Sequence, residues 1–299
     1  MNLRPFLLLI LLIATVRAAD PLSVVTTTPV LADIVRHVGG DRVTVRCILR
    51  PGTDPHVFQP TPDDARALSD AVLVVENGLG LEGWLSSLVT TSGFHGQLAT
   101  ASAGITPLPS LGHGSDHDES ADTHHHGGVD PHAWHHAANG IRYAQNVRDA
   151  LTTADPAGAS DYAAWCDLYC GQLRVVDAWI RRQIGSLPPE RRILATTHTA
   201  LAYYAEAYGL RLYAVEGVTT GQEPDPRHFA RLIAMLRRDQ VPAVFSELGS
   251  APALMERLAH DAGTTLGGPL VADTLPEGMT YIGMLTLNTR MIVRALQPH

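Results

Sequence analysis

Apolar residues recur along this chain with two different periods, and the switches between them divide it into strands and helices. Residues 23–27 form a short β-branched run. Pro29 then opens a helix that places Leu31, Ile34, Val35 and Val38 on one face, and Gly39-Gly40 stops it. Residues 43–49 predict a second strand, which ends in Pro51-Gly52-Thr53-Asp54-Pro55-His56. Thr61-Pro62-Asp63-Asp64 carries the marks of a helix start: a hydroxyl cap, proline at the first position and acids in the first turn. Residues 71–76 predict a third strand, followed by Asn77-Gly78 and a helix near 81–89. The second half repeats the pattern, with strands at 192–196, 210–216 and 243–247. Its helices run from His198 to Tyr208 (capped by Gly209), from Asp225-Pro226 to about Arg238, over 251–262 and over 281–296. Between the halves, residues 157–184 contain no proline, and Leu168, Val175, Val176 and Trp179 recur at helical spacing. At ~1.5 Å per residue such a helix can span a domain. The predicted class is therefore α/β: two lobes, each with a mainly parallel sheet flanked by helices, joined by a long rigid helix.

The N-terminus changes the picture of where the chain works. Arg4, an apolar run over 6–14 and the sequence Val16-Arg17-Ala18 predict a signal peptide at 1–18, cleaved after Ala18. The run is far shorter than the ~20 residues of a spanning helix. No cysteine precedes Cys47, so the cysteine of a bacterial lipoprotein signal is absent and a soluble periplasmic protein, a monomer, is expected. The mature chain, about 280 residues, favours two domains of ordinary size. The expected division is a lobe over 19–154, which includes a histidine-rich loop at 112–128, a linking helix over 155–186 and a second lobe over 187–299. A formal net charge of −8, with arginine as the only strong base, argues against nucleic acid, because backbone binding depends on neutralising phosphates. Cys166 and Cys170 fall side by side on the linking helix and read as small buried apolar residues; with Cys47 they make no disulfide-rich scaffold and no Cys-x-x-Cys pair.

Candidate chemistry is concentrated in histidine. Eight of the fifteen histidines lie between His113 and His136, in a tract with almost nothing apolar to bury. Neutral imidazole is the usual protein ligand for a borderline metal such as zinc. Asp130-Pro131-His132 repeats the tripeptide Asp54-Pro55-His56. Pro55 restricts Asp54 to extended geometry, and a carboxylate there can accept the second imidazole N–H of a ligating histidine. A single Asp-Pro-His is explained better by a surface turn; two of them beside a histidine loop point to metal. Trp134 adds an apolar wall, His136 lies four residues beyond His132 and can share a helical face with it, and His135 is expected to point elsewhere. His198 stands at a strand-to-helix junction, on the edge where α/β proteins bind ligands. Asp273 follows another short apolar run and can close a fourth coordination position. His113, His117, His124, His125 and His126, with His136, are candidates for auxiliary metal binding; for the loop the plain alternative is a solvated linker.

The chain resembles the periplasmic metal-binding subunits of ATP-binding-cassette (ABC) importers for zinc and manganese, over essentially all its mature length. The resemblance lies in residues 51–62, in Asn77-Gly78-Leu79-Gly80-Leu81-Glu82-Gly83-Trp84, and in Asp130-Pro131-His132-Ala133-Trp134. It continues through residues 197–204, Tyr208-Gly209-Leu210, Thr280-Tyr281 and Asn288. It implies a metal held between the lobes by His56 and His132 from the first and His198 and Asp273 from the second, and delivery to a membrane permease. One departure is His136-Ala137 where the family continues with Asp-Pro, which leaves a spare imidazole near the site and a less defined helix start. The histidine loop, and His198 where manganese members can carry glutamate, favour Zn2+ as the transported ligand, with Mn2+ or Fe2+ as alternatives. No enzyme is expected. A secreted zinc hydrolase using Glu247 or Glu223 as base would need an open metal position, and the chain has no His-Glu-x-x-His. A metal buffer built on the loop alone is the remaining rival.

Overall fold

The computed structural model describes residues 20–110, 128–218 and 225–297. Its first sheet has four parallel strands, β1 (Leu22–Thr26), β2 (Val43–Cys47), β3 (Leu73–Glu76) and β4 (Gln97–Thr100), in the order β2-β1-β3-β4. Helices α1 (Pro29–Gly39), α2 (Pro62–Ser69) and α3 (Leu85–Ser92) make the crossovers. The start of α2 is the one its sequence predicts: Thr61 Oγ1 and its backbone N–H both meet Asp64 Oδ2 at 2.8 Å. Helix α3 begins later than expected, because Gly78, Leu79 and Gly80 all take positive φ (82°, 56° and 81°) and prolong the loop after β3. β4 has only four residues with Leu98 exposed, too weak a pattern to read beforehand.

Two long helices follow, α4 (Ala137–Ala154) and α5 (Ala159–Gly185). A poorly defined helix start is expected after Trp134, and the extent of α4 escaped sequence reading; His136 precedes it in extended geometry with no side-chain cap, so none of the usual start signals is present. α5, expected over 157–184, has 27 residues and is about 40 Å long. It packs against α1, α4 and the last helix, α9 (Tyr281–Leu296). Cys166 and Cys170 are buried on it, unbridged, with sulfurs 3.8 Å apart. One buried carboxylate fastens three of these helices: Asp33 Oδ2 on α1 accepts from the Tyr281 N–H of α9 at 2.9 Å and the Tyr169 hydroxyl of α5 at 3.3 Å. No helix among the described residues is long and apolar enough to cross a membrane.

The second half carries β5 (Ile193–Thr196) paired in parallel with β6 (Arg211–Ala214), and β7 (Ala243–Val244) with β8 (Thr265–Leu266). The Phe245 N–H donates to the Ala195 carbonyl at 2.8 Å, which lays β7 beside β5. Helices α6 (Ala202–Tyr208), α7 (Pro226–Arg238) and α8 (Ala253–Ala262) flank these strands. Strands read as longer from their apolar runs, 210–216 and 243–247, are shorter as regular elements, although single backbone hydrogen bonds carry the pairing on at Val215, Glu216 and Leu270. All strand pairs are parallel, so every strand's C-terminal end faces one edge of its sheet, and the loops that matter leave from there. One apolar core runs through both halves, with Trp134, Tyr143, Tyr204, Phe245 and Tyr281 fully enclosed.

Candidate metal centre

His56 lies on the loop after β2, held by the Asp54 carboxylate, which accepts the His56 backbone N–H at 2.8 Å. His132 enters from the far end of the first half, where an antiparallel bridge joins Pro109 to Val129. Its loop is fixed from three sides. The Asn77 side-chain amide donates to the Pro131 carbonyl at 2.9 Å, Tyr203 donates to the Asp130 carbonyl at 2.9 Å, and the Trp134 indole donates to the Ala272 carbonyl at 3.2 Å. His198 follows β5 and Asp273 follows the stretch bridged by Glu247 and Leu270. Four residues spread over more than two hundred positions thus meet: their ligand atoms all lie within 4.8 Å of one another.

The orientation of the imidazoles is dictated by carboxylates behind them. His132 Nδ1 is 2.7 Å from Asp130 Oδ1, which also accepts the His132 backbone N–H at 2.8 Å. A carboxylate only accepts, so Nδ1 carries a proton and Nε2 is left to face the centre. Glu247 does the same for His198, with Oε2 against Nδ1 and Oε1 accepting the backbone N–H at 3.1 Å. The inward nitrogens converge: His56 Nε2 is 3.1 Å from His132 Nε2, and Asp273 sets one oxygen 3.3 Å from His132 Nε2 and the other 3.3 Å from His198 Nε2.

Charge follows from this packing. Burial opposes protonation of His132, but Asp130 and Asp273 outweigh it and raise its pKa. His198 is raised well above the ordinary value by Glu247 and Asp273 against the same burial. Asp273, although enclosed, is held well below the usual carboxylate range by His198 and His132. His56 has no such partner; burial, with repulsion from the other two imidazoles, drops it to about 4 despite the nearby carboxylates. Without an ion, Asp273 between the two inward nitrogens and the carboxylates behind both rings favour protons on His132 and His198. A divalent cation replacing the inward protons meets three nitrogens and one carboxylate, a donor set that closes a tetrahedral site.

Other sequence expectations fare differently. Asp54 supports the His56 backbone, whereas ring support of the kind expected from it comes from Asp130 and Glu247. Glu247, the general base of the hydrolase reading, is spent on His198. His136 does not share a face with His132. A 3-10 turn over Ala133–His135 is followed by extended geometry at His136, which sends that ring to Arg181 Nη2 at 3.4 Å and Asp177 Oδ1 at 3.7 Å. His135, expected to point elsewhere, is fully buried against Trp134 and is not among the four converging residues. His113, His117, His124, His125 and His126, and Glu223, lie outside the described residues.

Parallel strands in both halves of the chain thus carry loops that meet at a nitrogen-rich, metal-competent centre, the mark of a metal-binding protein. The chain belongs to the family described as zinc-uptake complex component A, periplasmic, which matches residues 24–295, a family of substrate-binding components of ABC metal importers. Among its relatives is the manganese-binding lipoprotein MntA of Halalkalibacterium halodurans, 31% identical over 281 residues, 93% of this chain and 89% of that one. The iron-binding protein YfeA of Yersinia pestis is 30% identical over 280 residues, covering 92% of this chain and 86% of its own. The solved periplasmic zinc-binding protein TroA of Treponema pallidum superposes with a TM-score of 0.83 at 28% identity, over 94% of this chain and all (100%) of the other.

Proposed function

We propose that this chain captures Zn2+ in the periplasm through His56, His132, His198 and Asp273 and delivers it to the membrane permease of an ABC importer. The observation that carries the reading is the convergence of those four ligand atoms within 4.8 Å, from both halves of the chain. Three imidazoles suit zinc, whereas manganese prefers a larger share of oxygen ligands. Buried carboxylates behind His132 and His198 raise the basicity of both rings, as metal sites require. In this reading residues 1–18 are cleaved, 19–154 and 187–299 act as two lobes, and 155–186 links them as a rigid spar. The chain is not an enzyme: four protein ligands leave no position for an activated water. Manganese or iron(II) is the second reading, favoured by the names of MntA and YfeA. Competition dialysis against equal Zn2+, Mn2+ and Fe2+, with elemental analysis of the protein, tests the choice. One zinc per chain is expected, and preferential retention of manganese or iron transfers the proposal to that metal.

A further inference from the structure

Two turns from opposite halves of the chain meet beside the centre. One follows β2: the Thr53 N–H donates to the Arg50 carbonyl at 3.0 Å, and Gly52 takes the left-handed φ of 82° that lets the chain reverse before His56. The other follows β7: the Ser250 N–H donates to the Glu247 carbonyl at 3.1 Å, with Gly249 at φ 96°. Their tips face each other closely, since a Cβ on Gly249 would lie 3.8 Å from the Gly52 carbonyl oxygen. The first turn is also bonded to the second half directly. The Gly52 N–H donates to Thr274 Oγ1 at 3.0 Å, across 222 positions of sequence. Thr274 is buried and follows Asp273, so this bond ties the segment that carries His56 to the segment that carries Asp273.

Beside these turns lies a cavity of about 320 Å³ whose walls include Gly52, Asp54, Thr197, Glu247, Asp273 and Thr274. It reaches the centre on the side of Asp273, whose side chain is 13% exposed, whereas those of His132 and His198 have no exposure. An ion that sheds water needs other oxygens in its place, and these walls supply them. Besides the carboxylates, Thr197 Oγ1 is buried there without a hydrogen-bond partner among the described residues. We propose that this cavity is the passage by which the cation enters and leaves, and that the Gly52–Thr274 hydrogen bond is the clasp that opens to let it through. Thr274 is then a positioning residue for exchange rather than a ligand, an inference that rests on the four-residue site proposed above. A clasp made in the closed protein and broken in the open one raises the barrier to passage in both directions. It leaves the coordination of the ion, and with it the equilibrium, unaltered. Gly52 is exposed, so its N–H meets water once the clasp opens, and opening costs no more than one modest hydrogen bond.

The test uses the full mature chain and stopped-flow mixing with a chromophoric chelator, which reads zinc uptake and zinc release separately. Thr274→Val keeps the shape of the side chain and removes the acceptor. Loss of one neutral hydrogen bond should quicken uptake and release each by roughly 2–10-fold and leave Kd within about twofold of wild type. The visible bands of bound Co2+ should match those of wild type, and Thr274→Ser, which retains the hydroxyl, should restore both rates. Unchanged rates in Thr274→Val overturn the proposal. So does a faster release with unchanged uptake or altered cobalt bands, the signature of a residue that shapes the coordination of Asp273 instead. If that variant does not fold, the wild type still decides. In zinc-loaded protein the Gly52 amide should exchange with solvent far more slowly than in an unstructured chain, as followed by NMR, and exchange at the unstructured rate refutes the clasp. Failure of the four-residue site is separately visible, since His198→Ala would then bind zinc as tightly as wild type.

Discussion

Replacing Asp130 by asparagine tests whether the buried carboxylates, rather than the imidazoles alone, set affinity. Asp130 has 0% exposure, and its Oδ1 accepts both the His132 backbone N–H at 2.8 Å and Nδ1–H at 2.7 Å. Asparagine preserves the shape and an oxygen acceptor but removes the charge. A hydrogen bond to a charged group contributes roughly 1.5–3 kcal/mol and a neutral one about half of that. Two such bonds therefore weaken by about 2 kcal/mol together, which is a factor of roughly 30. That falls inside the 10–100-fold loss typical of removing a partner behind a metal ligand. The charge of Asp130 also raises the pKa of His132, so the variant binds that competing proton less tightly. Its deficit in zinc affinity should accordingly be largest near pH 8, where protons compete least, and shrink toward pH 6. Competition with a chromophoric chelator at both pH values measures this. Affinity within twofold of wild type at pH 8 would refute the argument that Asp130 holds and polarises His132.

Three further outcomes follow from the same geometry. Because His132 and His198 have raised pKa values in the empty protein, zinc binding must expel protons well above the ~6.5 of free histidine, and affinity should climb steadily from pH 6 to pH 8; calorimetry in buffers of different ionisation heat would contradict this by finding no proton release. His198→Ala should abolish tight binding, leave the Glu247 carboxylate buried without its ring partner and lower the melting temperature by several degrees; thermal unfolding of the metal-free variant at the wild-type temperature would count against a stabilising pair. Deleting residues 112–127 should remove only weak zinc sites in calorimetry, whereas loss of the tight one would mean that the histidine loop supplies a primary ligand.

The parts of the fold that local chemistry defines were legible in the sequence. The Thr61–Asp64 cap, Pro29 at the head of α1 and Gly209 at φ 74° after α6 mark element ends through their own backbone preferences. The bounds of α4 were not legible, since an uncapped helix following extended His136 carries no terminal signal; β7 reads as longer than it is, and the two-residue strand β8 is too short for a period. The site divides the same way. His56 and His132 announce themselves by repeating Asp-Pro-His, which is local. The pairing of His198 with Glu247 spans 49 residues, and the burial of His135 depends on a 3-10 turn meeting the Ala272 segment. Tertiary packing decides both, and no spacing rule reports it.

The central claim is that one cation is held by His56, His132, His198 and Asp273 between the two halves. Anomalous diffraction from zinc-loaded crystals at the metal edge tests it most directly. The account predicts one dominant peak at the meeting point of the four side chains, with three nitrogens at about 2.0–2.1 Å and one Asp273 oxygen at about 2.0–2.2 Å. A dominant peak anywhere else, or one at that point lacking any of the three imidazoles, would contradict it.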